Sequence, residues 1–323
     1  MLTAAAGVFV GLRTSAWMLV GGLVTGYVLG PLAIADGARA FVDELTAPRA
    51  PAPEVVLGGA ALVPPAAARG GDVWVDLATL PALTDHRVRG AVVIPLALGV
   101  EWLVRALGPE PGPRALREVA VRRGVVLPDP PAIGLAVRAR ATTAGAALEL
   151  VDRDGGVRIA AHADAPRPPT LPPSDAAPTA ALDPRAAAPY CPGRLFHGPQ
   201  FHALRAITAL SADGGVAELA GLHALGWPGR GWRTDVAAID GAIQLAALIC
   251  TVAGMGQTLP LAVARIGLHR EPRPGPLTAA VVLRTRAADR ALCDAWVIGH
   301  DGAPVAELTG LALFVAPRGT TEA

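Results

Sequence analysis

The chain of 323 residues has no lysine; each of its basic side chains is an arginine. With alanine, glycine and proline so abundant, that absence reads as the coding bias of a GC-rich genome, not as a functional signal. Charge of any kind is scarce: 17% of residues are charged, the net charge is +1, and there is no basic run. This argues against nucleic acid as a partner. Cysteine is limited to Cys191, Cys250 and Cys293, none at CxxC spacing, so neither a disulfide framework nor a cysteine zinc site is expected. Free buried thiols in a cytoplasmic protein are the expectation. A charged leader region is missing, which argues against a signal peptide. One long uncharged run does occur, the 21 residues Ser15–Ala35, enough to span a bilayer. Gly21, Gly22, Gly26, Gly30 and Pro31 interrupt it and Arg13 lies just before it. Hydropathy alone leaves a membrane span and a buried segment equally open.

What is present is apolar mass. With 52% hydrophobic residues the chain can bury a sizeable core as one large domain or two ordinary ones. Residues 1–60 form a first block. Asp36–Leu45 has helical spacing with Asp36 as N-cap, and the proline-rich connector Ala47–Pro53 leads to a short apolar strand, Glu54–Leu57. Residues 61–165 form a second block. It reads as a strand (Asp72–Leu77), a loop (Pro81–Gly90), a β-branched run (Val92–Ile94) and a helix (Ala97–Leu107). Strands at Glu118–Leu127, Gly134–Ala141 and Ala147–Val151 follow, then an Asp154-Gly155-Gly156 hairpin turn into Val157–His162. Residues 166–189 are a Pro/Ala-rich linker. Residues 190–318 repeat the order. A motif segment (Tyr190–Phe201) precedes strands at 203–210 and 216–219 and a long apolar helix from Val236 to about Ala253, which Thr234 or Asp235 can cap. Strands at Ala262–His269, Leu277–Arg284 and Ala291–Ile298 come next, and Asp301-Gly302 turns into Val305–Val315. One long helix against a mostly antiparallel sheet, twice over, predicts an α+β duplication.

Three constellations can carry chemistry. The first is His86-Arg-Val-Arg-Gly90-Ala-Val-Val-Ile-Pro95, or HxxxGxxxxP. A histidine between a loop and a strand can face a pocket, and Gly90 lets a backbone N–H approach a ligand; alone, such a histidine is more often a surface or core residue. The second is Leu195-Phe-His-Gly-Pro-Gln-Phe201, where Gly198-Pro199 shapes a turn; alone, it reads as an aromatic strand entry. The third is Asp240-Gly-Ala-Ile-Gln244. Its two polar residues share one helix face at i,i+4 in an otherwise apolar segment. Asp240 either faces solvent or caps near the helix start, or it is buried. Burial of an unpaired carboxylate is costly and would raise its pKa, keeping a usable proton near neutral pH.

In this order and at these separations, the three motifs resemble the dehydratase domains of polyketide synthases, most of all the iterative polyunsaturated-fatty-acid and enediyne type. Leu80–Trp102, Tyr190–Phe201, Asp240–Gln244 and Thr258-Leu-Pro260 carry the resemblance, which covers about residues 55–318. It implies a double hotdog: two sheets, each around its own long helix. It implies His86 as the base for the C2 proton and Asp240 as the acid for the C3 hydroxyl, with the Gly90 N–H steadying the thioester carbonyl and Gln244 holding Asp240. Pro95, Tyr190, Gly198, Pro199 and Phe201 would complete the substrate site. It implies no metal and no dissociable cofactor, the substrate riding on the phosphopantetheine of an acyl carrier protein. Other polyketide synthase domains, a homodimer and a cytoplasmic location come with it. Many modular relatives carry a tyrosine just before Gly-Pro. Here Phe196 and His197 stand there, as in polyunsaturated-acid relatives, which leaves Tyr190 as the candidate hydroxyl and reads His197 and His202 as structural.

The first block resembles the tail of a ketoreductase domain in Gly21–Thr25, Leu29–Leu45 and Glu54–Gly59, without that domain's G-x-G-x-x-G loop or catalytic tyrosine. The chain then reads as a piece of a larger synthase, and Ser15–Ala35 as a buried segment more than a span. Two alternatives stand beside the dehydratase: a product-template-like cyclisation domain of the same fold, and a catalytically silent scaffold or membrane-anchored remnant, which the intact motifs disfavour.

Overall fold

The computed structural model describes residues 10–12, 54–56, 71–129, 131–143, 145–173, 183–191, 193–229 and 231–316. The chain divides into two compact units, Met1–Ala66 and Ala67–Ala323. In the first, β1 (Val10–Leu12) pairs antiparallel with β2 (Glu54–Val56). The expected helix at Asp36–Leu45, the apolar run Ser15–Ala35 and most of the ketoreductase-like segment lie outside the described residues. Among the described residues no helix is long and apolar enough to cross a membrane.

The second unit is built on β3 (Gly71–Asp76), β4 (Arg87–Val88), β5 (Ala91–Val92), α1 (Leu96–Arg105), β6 (Arg114–Val121), β7 (Ala132–Thr142), β8 (Gly145–Asp152) and β9 (Val157–Asp164). It continues with β10 (Leu204–Leu210), β11 (Gly214–Leu219), α2 (Val236–Val252), β12 (Thr258–Leu268), β13 (Leu277–Arg286), β14 (Arg290–Gly299) and β15 (Pro304–Val315). The duplicated α+β order is there, with one correction. Instead of two separate sheets there is one of eleven strands, in the order β10-β11-β13-β14-β15-β12-β6-β9-β8-β7-β3. The seam is β12 against β6, antiparallel from Ala262↔Ala120 to Leu268↔Arg114. Each half would otherwise leave an edge strand with unpaired backbone groups; pairing the two edges satisfies both.

The helices lie on one face of this sheet. In α1, Leu96 through Val104 are all buried, and the helix packs on β8, β6 and α2. Apolar almost all round and free of proline, α2 is buried from Val236 to Ala246 and again from Leu248 to Cys250, as a helix without a polar face must be. Its cap is Asp235, whose Oδ1 accepts from Ala238 N at 2.9 Å and Leu222 N at 3.0 Å. Thr234 is used differently: with Arg233 it binds the buried carboxylate of Glu101 on α1, through Thr234 N (2.8 Å), Thr234 Oγ1 (2.8 Å) and Arg233 N (3.0 Å). Cys250 and Cys293 are buried free thiols, whereas Cys191 is only half-buried.

Candidate active site

The segment Pro81–Asp85 is a turn of 3-10 helix that delivers His86 into the interior. The histidine is then locked by Val93 from both sides. Its carbonyl accepts from Val93 N at 3.0 Å, and its Nδ1 lies 2.7 Å from Val93 O. A carbonyl only accepts, so Nδ1 carries the proton and Nε2 keeps its lone pair. The strand expected at Glu118–Leu127 helps to build this site by not existing as one piece. Glu118 sits at φ +53° and the β6–β9 register slips between Arg117 and Ala120. Beyond Val121 the chain leaves the sheet, and Val125–Leu127 pairs with the His86 segment through Ile94 N→Val125 O (2.9 Å) and Leu127 N→Val92 O (2.9 Å).

Asp240 arrives from the other half, one turn into α2, and is 4% exposed. Gln244, one turn further on, donates from Nε2 to Asp240 Oδ2 at 2.7 Å and to Phe201 O at 2.9 Å. The Gln244 Oε1 accepts from Tyr190 Oη at 2.7 Å, and that hydroxyl accepts from Leu204 N at 2.8 Å. His197 completes the cluster: its Nε2 is 3.6 Å from Asp240 Oδ2, and its ring meets the His86 ring edge-on with centroids 5.2 Å apart. The side-chain ligand atoms of His86, His197 and Asp240 lie within 4.8 Å of one another. Two imidazoles and a carboxylate are a donor set that suits divalent metals, but ligands on a tetrahedral zinc stand roughly 3.3 Å apart. The cluster as it stands is wider than that.

Burial sets the electrostatics. It pushes the His86 pKa down from its ordinary value, against the pull of the Asp240 charge, and pushes the Asp240 pKa up, against His86 and the Gln244 hydrogen bond. His197 is held well below the ordinary histidine range by burial, then by His86 and His202. Burial likewise raises the Tyr190 phenol. His86, His197 and Asp240 open onto a cavity of about 620 Å³ whose wall is otherwise mainly apolar, with Ile94, Leu96, Ile159, Phe196 and Ile243 among its residues.

The motif residues divide sharply by position. His86, Asp240 and Gln244 line the cavity. Gly90 does not, which corrects its expected place beside the thioester. It forms, with Arg89, the tight turn between β4 and β5, at φ +80° and +52°, and is exposed at the tip; its freedom at positive φ is used by the turn. Pro95 is the buried N-cap of α1 and also stands off the cavity. Phe201 packs against the His86 ring (5.0 Å between centroids) and Trp227 (4.7 Å) from behind. Tyr190 acts only through Gln244. Gly198 and Pro199 shape the turn: Gly198 N donates to Asp85 O and Gln200 N to Asp85 Oδ2, both at 2.7 Å. Asp85 thereby ties the loop before His86 to the Gly-Pro turn of the other half.

Sequence reasoning set two residues aside that the structure brings in. His197 faces the cavity instead of serving as packing, and Phe196 lines it as well. The available signal was position: both precede a Gly-Pro turn where modular relatives keep a polar tyrosine. His202 keeps its structural reading, stacked on Tyr190 at 3.8 Å with Nε2 at 3.0 Å from the His197 carbonyl.

Known proteins place this arrangement. The family model for the polyketide synthase dehydratase N-terminal domain matches residues 166–323. No curated protein matches the sequence. Among solved structures, the dehydratase domain from the CurJ module of curacin polyketide synthase superposes with a TM-score of 0.64 at 14% identity, over 76% of this chain and 92% of that one. The dehydratase domain of a mycocerosic acid synthase-like polyketide synthase does so with 0.61 at 20% identity, over 76% and 89%. A trans-acyltransferase polyketide synthase enoyl-isomerase gives 0.56 at 15%, over 75% and 98%. At such identities the superpositions establish the fold alone: the compact unit Ala67–Ala323 has the double hotdog fold of polyketide synthase dehydratase domains, and its residues 166–323 match the family model of those domains.

Proposed function

We propose that the chain removes water from a (3R)-hydroxyacyl thioester carried on the phosphopantetheine of an acyl carrier protein, giving a trans-2-enoyl thioester in polyketide or polyunsaturated fatty acid assembly. The carrier, the configuration and the neighbouring synthase domains rest on the family. The chemistry rests on one observation: an imidazole with a free Nε2 and a buried carboxyl group, from opposite halves of the fold, face each other across a mainly apolar cavity.

Water loss needs a base at C2 and an acid at the C3 oxygen. His86 Nε2 takes the C2 proton, and the C2–H electron pair becomes the C2–C3 double bond. The C3–O bond breaks with its pair on oxygen, which takes the Asp240 proton and leaves as water. His86 then carries the extra proton and Asp240 the negative charge; return of that proton across the short gap between them resets the site. The hydrogen bond to Val93 fixes the His86 tautomer, and burial favours the neutral acid form of Asp240 before the reaction. Shifting a double bond, the reaction named for the enoyl-isomerase of this fold, can be run by one base that takes and returns a proton. The presence of Asp240 as a second, acidic group favours water loss.

His86→Ala and Asp240→Asn are each expected to lower turnover of a 3-hydroxyacyl pantetheine thioester by roughly 10³-fold or more, within the range for a general acid or base. Formation of the enoyl thioester is read by its absorbance and by mass. Wild-type rates in both variants would end the reading, and a cyclised product from the wild-type chain would replace it with the product-template alternative.

A further inference from the structure

His197 is the one polar group of the His86–Asp240 cluster for which the reaction above has no use, and it is also the least satisfied. Its Nδ1 is buried without a hydrogen-bond partner. Its Nε2 stands 3.6 Å from Asp240 Oδ2, beyond hydrogen-bonding distance. That oxygen is already held by Gln244 at 2.7 Å, so His197 is not needed to orient the carboxyl group. With no acceptor at Nδ1 the ring proton belongs on Nε2, and because His197 lines the cavity a ligand there can give Nε2 the partner that the protein does not.

The ring is also held firmly. It stacks on Phe196 with centroids 4.1 Å apart and planes 20° from parallel. Its own carbonyl meets His202 Nε2 at 3.0 Å, and Asp85 clamps the next residues through Gly198 N and Gln200 N. An oxygen atom about 2.8 Å from each group can sit beside the gap between His197 Nε2 and Asp240.

We propose that His197 is a further catalytic residue: its Nε2–H donates a hydrogen bond to the C3 oxygen of the substrate, sharing that oxygen with Asp240 as it departs. This rests on the dehydratase reading. Burial, His86 and His202 keep the ring neutral, so it acts as a fixed donor and does not compete with Asp240 as the acid. It needs no proton of its own to move. The C3–O electron pair goes to oxygen, the proton comes from Asp240, and His197 holds the oxygen in line and stabilises the charge that builds there.

The test separates contact with the hydroxyl from general support of the cavity. Two ligands are used on the full chain: 3-hydroxyoctanoyl pantetheine as substrate, and octanoyl pantetheine, which lacks the hydroxyl, as competitive inhibitor. In His197→Phe, kcat/KM for the hydroxyacyl substrate is expected to fall roughly a hundredfold, the effect of losing one donor to a developing oxyanion, while the inhibition constant of the octanoyl compound stays unchanged. His197→Gln, which keeps an N–H donor, should recover part of the loss and keeps the test open if the phenylalanine variant does not fold. Equal weakening of both ligands, or unchanged hydroxyacyl turnover, overturns the role of His197 while leaving the dehydratase reading standing. A wild-type chain that turns over no 3-hydroxyacyl thioester overturns both.

Discussion

At the scale of single residues, the site works by taking polar groups out of water and then restricting what each can bond. His86 has one ring nitrogen committed to a backbone carbonyl, and Asp240 has one oxygen committed to Gln244. Ligand atoms of the two side chains lie within 4.8 Å of each other. In the proposed reaction the active state has His86 neutral and Asp240 protonated. His86 sits below its ordinary 6.5 and Asp240 above its ordinary 3.8. As pH falls through the lowered His86 value the base is lost, and as pH rises through the raised Asp240 value the acid is lost. A bell-shaped profile of kcat/KM is therefore expected, with its acid limb below pH 6.5. The two limbs belong to the coupled pair and not to either side chain singly. A rate still climbing above pH 9, well past any ordinary carboxylate value, would contradict the assignment of Asp240 as acid. Gly198 gives a second test. A β-carbon there would lie 2.7–2.9 Å from the side chain of Asp85, so Gly198→Ala must push apart the two segments that hold His86 and His197. It is expected to cost about 1–3 kcal/mol, as overpacking does, and to lower kcat more than a surface glycine change of equal stability cost. Thermal melts together with steady-state rates decide this.

At the scale of elements, the tie between α1 and the start of α2 is a single buried carboxylate. Glu101 is 0% exposed and accepts from Arg233 N, Thr234 N and Thr234 Oγ1, with Arg105 Nε at 2.6 Å. Glu101→Ala leaves two backbone N–H groups of the other half without a partner. The expected loss is about 3 kcal/mol, or a Tm lower by roughly 10 °C, with Glu101→Gln intermediate; a melt within a degree of wild type would show that the tie carries little. This scale also shows what the sequence makes legible. Helix α2 was readable to within a residue, because an uninterrupted apolar run after Asp235 has few other ways to satisfy its backbone. Hairpins at Asp154-Gly155 and Asp301-Gly302 were readable from turn chemistry. The end of β6 was not: a glutamate at positive φ and a slipped register are tertiary effects, set by the recruitment of Val125–Leu127 to the His86 segment. His86, Asp240 and Gln244 were readable because the motifs name them. Gly90 misled, since a glycine needed for a turn and one needed for a ligand look alike in sequence. His197 was hidden because which way a histidine points depends on a turn clamped by Asp85, 112 positions earlier.

At the scale of the whole second unit, the seam between β6 and β12 makes the two hotdogs one sheet. The cavity is lined from both halves, so neither half holds a complete site. Unfolding of this unit is expected to be a single cooperative event. Trp74 and Trp102 report on one half and Trp227, Trp232 and Trp296 on the other. Denaturation followed by tryptophan emission and by far-ultraviolet circular dichroism should give coincident curves; two separated transitions would mean that the halves stand alone.

The same seam has a consequence in time. It joins strands that start at Arg114 and Thr258, so a loop of well over a hundred residues must close before those hydrogen bonds can form. Contacts so distant along the chain are the slow ones. Helix α2 and the hairpins on either side can gather early from local partners, but His86 meets Asp240 only after that closure. During refolding, or as the chain leaves the ribosome, assembly of the candidate site is then expected to be the last step, well after most of the secondary structure.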